Sequence, residues 1–198
     1  MLLQDRLKGY RLILASASPR RRELLAGCDL DFVLADKFEC EECYPTNLPT
    51  EKVAEYLSQL KSNAYPHALA DNDILLTADT VVILRDKILG KPHSAEEARE
   101  MIASLSGATH KVITGVTLRT AERTISFSAE SLVSFRVLDN EEIDYYVERY
   151  RPMDKAGAYG IQEWIGYIGI EGIEGSFYNV MGLPVQRLYV ELGRLLEH

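Results

Sequence analysis

The sequence predicts an α/β protein built on a mixed β-sheet. Short apolar runs typical of strands alternate along the chain with segments whose apolar residues recur at the three- and four-residue spacing of a helix. Residues 111–119 and 124–137 instead alternate in a way typical of a β-hairpin or meander. Alternating strands and helices with one antiparallel stretch indicate a mixed sheet flanked by helices. We find no internal repeat and no linker, so residues 1–198 are predicted to form one domain.

The first strand and helix have clear boundary signals. Arg11–Ala15 is a short apolar run, and Ser16-Ala17-Ser18-Pro19 follows it. A proline just inside a helix start, a serine before it as a cap and Gly27 at the far end are typical helix boundaries. These residues therefore predict a strand, a tight loop and a helix.

The same signals place the other elements. The stretch 74–84 is apolar on both sides of Asp79, as expected of a central strand buried on both faces. Ser94-Ala95-Glu96-Glu97 resembles a capping box at a helix start. The remaining predictions are strands at 31–34 and in a glycine-rich region after residue 162, and helices at about 50–64, 95–105, from 140 onward and 184–196.

Composition excludes several classes of protein. The formal net charge of −8 argues against a nucleic-acid binder, which needs clustered lysine and arginine. The N-terminus is too polar for a signal peptide, and no apolar run approaches the ~20 residues of a membrane helix, so a cytoplasmic protein without membrane contact is expected. The closing Leu196-Glu197-His198 resembles the start of a vector-encoded tag.

The three cysteines do not predict a disulfide framework. An odd number of cysteines fits a reducing compartment. Cys40-Glu41-Glu42-Cys43 has the spacing of a redox pair or half a zinc site, but the sequence has no second such pair. The two glutamates are expected to raise the thiol pKa values rather than lower them.

A candidate anion site follows the first strand. Ser16-Ala17-Ser18-Pro19-Arg20-Arg21 places hydroxyls, backbone N–H groups and two guanidinium groups at a helix N-terminus, which favours phosphate. The alternative is a plain capped helix with solvated arginines. The sequence lacks Gly-x-x-x-x-Gly-Lys, which excludes a P-loop ATPase or kinase.

Asp79 is the most informative single residue. A carboxylate in an apolar strand loses its hydration, and this loss is unfavourable unless the carboxylate binds a metal or takes a proton from water. The alternative is a structural aspartate that is hydrogen-bonded to backbone amides. Glu39, Glu41 and Glu42 form an acidic cluster that can add ligands for Mg²⁺, or is simply a solvated loop.

Several lysines could offset the charge of a triphosphate. Lys61, Lys91 and Lys155 lie in or near predicted loops, and Lys91 is held between Gly90 and Pro92 in a stiff segment. Isolated lysines are otherwise surface residues. No histidines have metal-ligand spacing, and the absence of Gly-x-Ser-x-Gly excludes a serine hydrolase of that type.

Taken together, the sequence resembles the Maf family of nucleotide pyrophosphatases over residues 11–188. Six segments carry the resemblance in the family's order: Leu14-Ala15-Ser16-Ala17-Ser18-Pro19-Arg20-Arg21, Ala78-Asp79-Thr80-Val81-Val82, Leu89-Gly90-Lys91-Pro92, Leu105-Ser106-Gly107, Asp154-Lys155-Ala156-Gly157-Ala158-Tyr159-Gly160-Ile161-Gln162 and Gly175-Ser176-Phe177-Tyr178-Asn179-Val180-Met181-Gly182-Leu183-Pro184. The resemblance implies a Maf/ITPase-like fold with a curved mixed sheet, two lobes around a cleft, and often a homodimer.

The resemblance also implies an activity and a set of site residues. The expected reaction is removal of pyrophosphate from a nucleoside triphosphate. Asp79 corresponds to the general base or a metal ligand, and Glu42 to a further metal ligand. The implied phosphate contacts are Ser16, Arg20, Lys61 and Lys91.

Three positions resemble the branch of the family that acts on dTTP and UTP: Arg20, Thr80 and Gln162. A glutamine amide can pair with a carbonyl and an imide N–H of uracil or thymine. The sequence departs from the family pattern at Glu163-Trp164, where glycine usually follows the glutamine, and at Ser62 and Ser131, where alanine and threonine are usual. The first departure bears on the range of accepted bases.

These observations lead to one mechanism and two rival functions. We expect Mg²⁺ or Mn²⁺, held by Asp79 and Glu42, to position a water that attacks the α-phosphorus while lysines and Arg20 stabilise the leaving pyrophosphate. One rival is a nucleotide sensor or division regulator that acts through a partner, which would not need Asp79. The other is hydrolysis of purine or modified nucleotides, which Thr80 and Gln162 disfavour.

Overall fold

The computed structural model describes residues 1–197 and has an α/β fold, which confirms the predicted class. His198, the end of the possible tag remnant, lies outside the described residues. Within the described residues, seven strands form one sheet. They are β1 (Arg11–Leu14), β2 (Val33–Leu34), β3 (Asp73–Leu84), β4 (Lys87–Leu89), β5 (Thr109–Arg119), β6 (Thr124–Phe135) and β7 (Ile170–Glu174).

The sheet is mixed, as predicted. Its strand order is β2-β1-β3-β5-β6-β7, and β4 pairs with β3 outside that path. β1 runs parallel to both β2 and β3, with Leu14 opposite Leu34 and Leu76. β4 is antiparallel to β3, and β7 is antiparallel to β6. A parallel β1–β3 pair requires a crossover connection, which the intervening helices supply.

Five helices of residues 1–197 lie close to the predicted boundaries, namely those that begin at Pro19, Thr50, Ala95, Asn140 and Val185, and three short helices were not predicted. The helices are α1 (Leu3–Arg6), α2 (Pro19–Ala26), α3 (Thr50–Ala64), α4 (Ala95–Leu105), α5 (Asn140–Tyr150), α6 (Trp164–Gly169), α7 (Phe177–Met181) and α8 (Val185–Leu195), with a 3₁₀ turn at Ala156–Ala158. Ser94 caps α4 as predicted, because its Oγ accepts a hydrogen bond of 3.1 Å from the N–H of Glu97. Among residues 1–197, the helices are all too short or too polar to cross a membrane.

The glycine-rich region after residue 162 differs from the prediction. Only β7 is a strand there, and α6 and α7 lie on either side of it. Gly166 explains part of the difference, since an added Cβ would collide with the backbone of Ile161. The glycine allows a helix to pack closely against the preceding loop, and it does not mark a strand.

Residues 1–197 form two compact units. Unit 1 comprises residues 1–79, 114–129 and 182–197, and unit 2 comprises residues 80–113 and 130–181. In unit 1, Gly115 of β5 lies directly against the backbone of Ala54 in α3. In unit 2, a large apolar core packs α4 and α5 against β6, with Ile102, Val133 and Tyr146 fully buried.

β3 is the central strand that the sequence predicts. Ten of its twelve residues are buried, and the two exceptions are the half-buried Asp79 and Thr80. The carboxylate predicted in an apolar strand therefore lies at the one point where that strand is accessible.

Candidate active site

In unit 1, two carboxylates converge on one lysine. The Nζ atom of Lys61, near the end of α3, lies 2.5 Å from Oδ1 of Asp79 and 3.1 Å from Oε1 of Glu42. The Lys61 and Asp79 side chains are 17% and 14% exposed, so this ion pair is only partly solvated, whereas Glu42 is 46% exposed. The structure thus brings together three of the predicted site residues.

Hydrogen bonds between α3 and the sheet fix the position of Lys61. Thr77 of β3 donates its hydroxyl to the carbonyl of Ser58, at 2.7 Å, and the hydroxyls of Ser58 and Thr117 lie 2.8 Å apart. Ser58 precedes Lys61 by three residues, and residues at that spacing share one face of a helix. The bonds therefore hold the face of α3 that carries Lys61 against the strand that carries Asp79.

Of the acidic cluster Glu39, Glu41 and Glu42, only Glu42 contacts Lys61. Glu39 and Glu41 are exposed. Burial raises the pKa of the Cys40 thiol and the Glu42 carboxylate raises it further, so for this thiol the direction agrees with the expectation. Among residues 1–197, no three histidine, cysteine or acidic side chains form a group that could hold a metal ion by themselves.

The loop before α2 is organised around Ser16 and Arg21. Ser16 Oγ accepts hydrogen bonds from the N–H of Ser18, at 3.2 Å, and from Nη1 of Arg21, at 3.3 Å. Nε of Arg21 donates to the carbonyl of Gly182 at 2.8 Å. Arg21 therefore holds this loop in place through its side-chain hydrogen bonds. It is not the solvated arginine of the alternative interpretation. Burial lowers the pKa of its guanidinium, and the Asp79 carboxylate opposes that shift.

The predicted serine cap of α2 is wrong in one respect. Ser18 occupies the N-cap position and Pro19 the first turn, but the Ser18 side chain makes no capping hydrogen bond. The serine oxygen that accepts a backbone N–H in this loop is Ser16 Oγ, two residues earlier. Arg20 follows Pro19 in that first turn and is half-buried.

In unit 2, three of the sequence motifs meet. The N–H of Gly157 donates to the carbonyl of Gly90 at 3.0 Å, which joins the loop of Lys91 to the Asp154–Gln162 segment. Gly157 has a φ of +68°, and a Cβ there would lie 3.0 Å from a methyl group of Val82 in β3. Only glycine suits both that backbone conformation and that contact. Lys91 itself is exposed beside the buried Pro92.

Lys155 does not have the place expected of a phosphate contact. It is buried, and its Nζ lies 2.7 Å from Oδ1 of Asp154 and 3.1 Å from Oε1 of Glu163. Glu163 also accepts a short hydrogen bond from the hydroxyl of Tyr146, and that hydroxyl accepts from the N–H of Gly160 at 3.0 Å. Burial and the Glu163 carboxylate raise the Tyr146 pKa, so the phenol stays protonated and can donate. We call Tyr146, Lys155, Glu163 and the Gly160 N–H the Glu163 network.

The Glu163 network encloses the segment that carries Gln162. The Oε1 atom of Gln162 is buried and has no hydrogen-bond partner among residues 1–197. Thr80, the third predicted specificity residue, is half-buried in β3. The sequence does not indicate Tyr146 as a site residue, and it indicates Arg21 only as one of the two arginines of the candidate anion loop. The departure at Glu163 was the one signal that pointed toward the network.

The arrangement in unit 1 is suited to anionic chemistry. A pair of carboxylates and a lysine lie together, and a cationic loop precedes a helix N-terminus, so the unit has groups that can take a proton, hold a cation and bind an anion. The chain belongs to the Maf family: the profile of the Maf-like protein family matches residues 11–195.

Curated relatives cover nearly the whole chain. It is 55% identical over 190 residues to a protein of Porphyromonas gingivalis, covering 95% of this chain and 96% of that one. It is 53% identical over 189 residues to a protein of Bacteroides thetaiotaomicron, covering 96% and 98%. Both relatives are named dTTP/UTP pyrophosphatase. Among solved structures, a dITP/XTP pyrophosphatase of Mycobacterium abscessus overlaps 95% of this chain and all of its own, with a TM-score of 0.42 at 15% identity.

Proposed function

We propose that the chain hydrolyses the pyrimidine nucleoside triphosphates dTTP and UTP to the monophosphate and pyrophosphate. The observation that carries the proposal is the convergence of Asp79 and Glu42 on Lys61 at the accessible point of β3. Two relatives more than 50% identical over nearly the full chain are named dTTP/UTP pyrophosphatase, which supports the same reaction here.

We propose that Asp79 is the general base, which takes a proton from the attacking water. Its carboxylate lies beside the Lys61 ammonium at the accessible point of β3, where it can accept a proton from the attacking water. The water oxygen bonds to the α-phosphorus, the bond from that phosphorus to the bridging oxygen of the β-phosphate breaks, and pyrophosphate leaves with the electron pair. Lys61 and Arg20 offset the negative charge, and Ser16 and the N-terminus of α2 orient the phosphates.

A divalent cation, Mg²⁺ or Mn²⁺, fits the same pair of carboxylates. Their oxygens already converge on one cationic group, the Lys61 ammonium. Mg²⁺ sites commonly use one or two carboxylates and complete the shell with water and substrate phosphates. Asp79 and Glu42 would hold the ion, which would supply Lewis-acid stabilisation and a more acidic bound water.

In unit 2, the loop residues Lys91 and Gln162 have proposed roles in binding the substrate. Lys91 is exposed in a segment stiffened by Pro92 and by the Gly157 hydrogen bond, so it is a suitable phosphate contact. Gln162 has a buried amide oxygen with no protein partner among residues 1–197, which suits the reading of a pyrimidine imide N–H. We propose that Arg20, Thr80 and Gln162 set the preference for dTTP and UTP.

The test is hydrolysis of a panel of canonical and modified nucleoside triphosphates with Mg²⁺, with Mn²⁺ and with a chelator, separating pyrophosphate from phosphate. Asp79→Asn is expected to lower kcat by about 10²- to 10⁴-fold, the usual contribution of a general base. The matched control is Asp86→Asn, which changes an exposed aspartate just after the same strand, at a φ of +64° that asparagine also tolerates.

The outcomes separate the rival functions. Pyrophosphate from dTTP and UTP in the wild type and in Asp86→Asn, but not in Asp79→Asn, supports the proposal. Near-normal turnover in a folded Asp79→Asn protein rules out the role of Asp79. Binding of nucleotides without any turnover would favour a sensor, and preferential turnover of purine nucleotides would overturn the assigned base preference.

A further inference from the structure

We propose that Glu163 is a positioning residue for base selection, and that it acts through the Glu163 network on Gln162. This inference rests on the proposed function, because it concerns how the same reaction selects its base. Glu163 directly follows Gln162, the residue proposed above to read the base.

The Glu163 carboxylate has two partners in the Glu163 network. One carboxylate oxygen accepts the Tyr146 hydroxyl, and the other lies 3.1 Å from the Lys155 ammonium. The Glu163 side chain is only 19% exposed and that of Lys155 only 9%, so these charges are largely desolvated and depend on each other. A buried pair of this kind holds its partners firmly, because loss of one member leaves the other charge uncompensated.

The Lys155–Glu163 pair is linked to the backbone before Gln162. The Tyr146 hydroxyl, which donates to Glu163, accepts the N–H of Gly160. Gly160 also packs against the Glu163 side chain, since an added Cβ would lie 2.9 Å from its carboxyl carbon. Both ends of the segment 160–163 are therefore fixed by one carboxylate, with Gln162 between them.

The Gln162 amide has a buried oxygen with no partner among residues 1–197. A buried acceptor of this kind discriminates strongly between ligands that supply a donor and those that do not, provided that its orientation is set beforehand. The Glu163 network supplies that orientation, and it does so without requiring Glu163 to touch the nucleotide.

The experiment compares kcat and KM for UTP and CTP in the wild type, Glu163→Gln and Tyr146→Phe. The ring N3 of cytosine carries no hydrogen, so CTP lacks the donor that uracil offers to the Gln162 oxygen. Both variants keep the size of the side chain. We expect kcat/KM for UTP to fall about tenfold, mainly through KM, while that for CTP changes by less than about threefold. The ratio of the two values is the decisive readout, because a purely structural defect lowers both together.

Tyr150→Phe is the matched control. The Tyr150 ring stacks on that of Tyr146 with centroids 5.1 Å apart, and the change removes the same hydroxyl from a neighbouring position outside the Glu163 network. This variant is expected to keep the wild-type ratio. Amide hydrogen exchange at Gly160 provides a readout besides activity and should be faster in Tyr146→Phe and Glu163→Gln than in the control.

The failures are distinguishable. If the wild type does not hydrolyse UTP or dTTP, the proposed function fails and this inference fails with it. If the wild type is active and the variants fold, keep the wild-type ratio and protect Gly160 normally, Glu163 has no positioning role although the function stands. Should Glu163→Gln not fold, Tyr146→Phe decides alone, since it leaves the Lys155–Glu163 pair in place.

Discussion

Acid should destabilise this protein through one buried histidine. His110 of β5 is 1% exposed, its Nε2 lies 2.7 Å from the hydroxyl of Tyr159, and its ring stacks on Phe135. Its Nδ1 is buried with no hydrogen-bond partner among residues 1–197. Burial lowers the pKa of His110 from 6.5 to about 4, because the charged ring would have to keep an N–H unpaired in the core.

The sign of the effect follows from proton binding. Between pH 6.5 and 4, the unfolded chain protonates His110 and the folded protein does not, so the unfolded state gains protons and stability falls as the pH falls. The full contribution is present above pH 6.5. At about 1.4 kcal/mol for each pKa unit, the depression corresponds to about 3 kcal/mol lost by pH 4.

Urea denaturation at several pH values between 7 and 4.5 measures this loss. We compare the wild type with His110→Phe, which keeps an aromatic ring at the site, and with His93→Asn, which removes an exposed histidine. The wild type and His93→Asn should lose about 2–3 kcal/mol more than His110→Phe over this range. Asp73, whose pKa is lowered by its hydrogen bond to Arg11, contributes only below about pH 4 and does so in all three proteins. Parallel curves for the wild type and His110→Phe would refute the reasoning.

Two further predictions concern packing in unit 1. Ser62→Ala should raise the free energy of unfolding by about 1 kcal/mol, because it removes a buried hydroxyl with no partner among residues 1–197 and places a better helix former in α3; a lower urea midpoint would show that the hydroxyl is bonded. Gly115→Ala should lower the free energy of unfolding by at least about 2 kcal/mol, because the added Cβ would collide with the backbone of Ala54. Gly172→Ala is the control, since its added Cβ meets nothing within 4 Å, and it should change the urea midpoint little.

The sequence was sufficient where the signal is local. The strand around Asp79 is visible as an apolar run interrupted by one acid, and the structure has that strand at 73–84. The starts of α3 and α4 follow from Thr50 and from the Ser94 capping box in the same way. Such signals lie within a few residues of one another, so periodicity and capping rules can detect them.

Long-range contacts were beyond the reach of these rules. In the Glu163 network, Tyr146 bonds to Gly160 and Glu163, which follow it by 14 and 17 residues. The spacing of residues in the sequence does not reveal which partner a tyrosine hydroxyl will meet. Arg21 was predicted only as part of a cationic loop, yet it ties Ser16 to a carbonyl 161 residues later. Lys155 looked like a phosphate ligand because sequence does not reveal that two carboxylates already surround it.

The Lys61–Asp79 pair is hard to explain by stability. Both side chains are mostly buried, and bringing two opposite charges out of water costs about as much as their attraction returns, so an apolar pair of similar size would serve a strand and a helix at least as well. Every other residue of β3 except Thr80 is buried, and most are apolar, which shows what packing alone selects at such positions. The function proposed above accounts for the charges at Lys61 and Asp79, because a ligand with charges of its own needs them. Glu42 reaches the same ammonium from an exposed segment, so in that proposal a triphosphate with a divalent cation would engage all three groups.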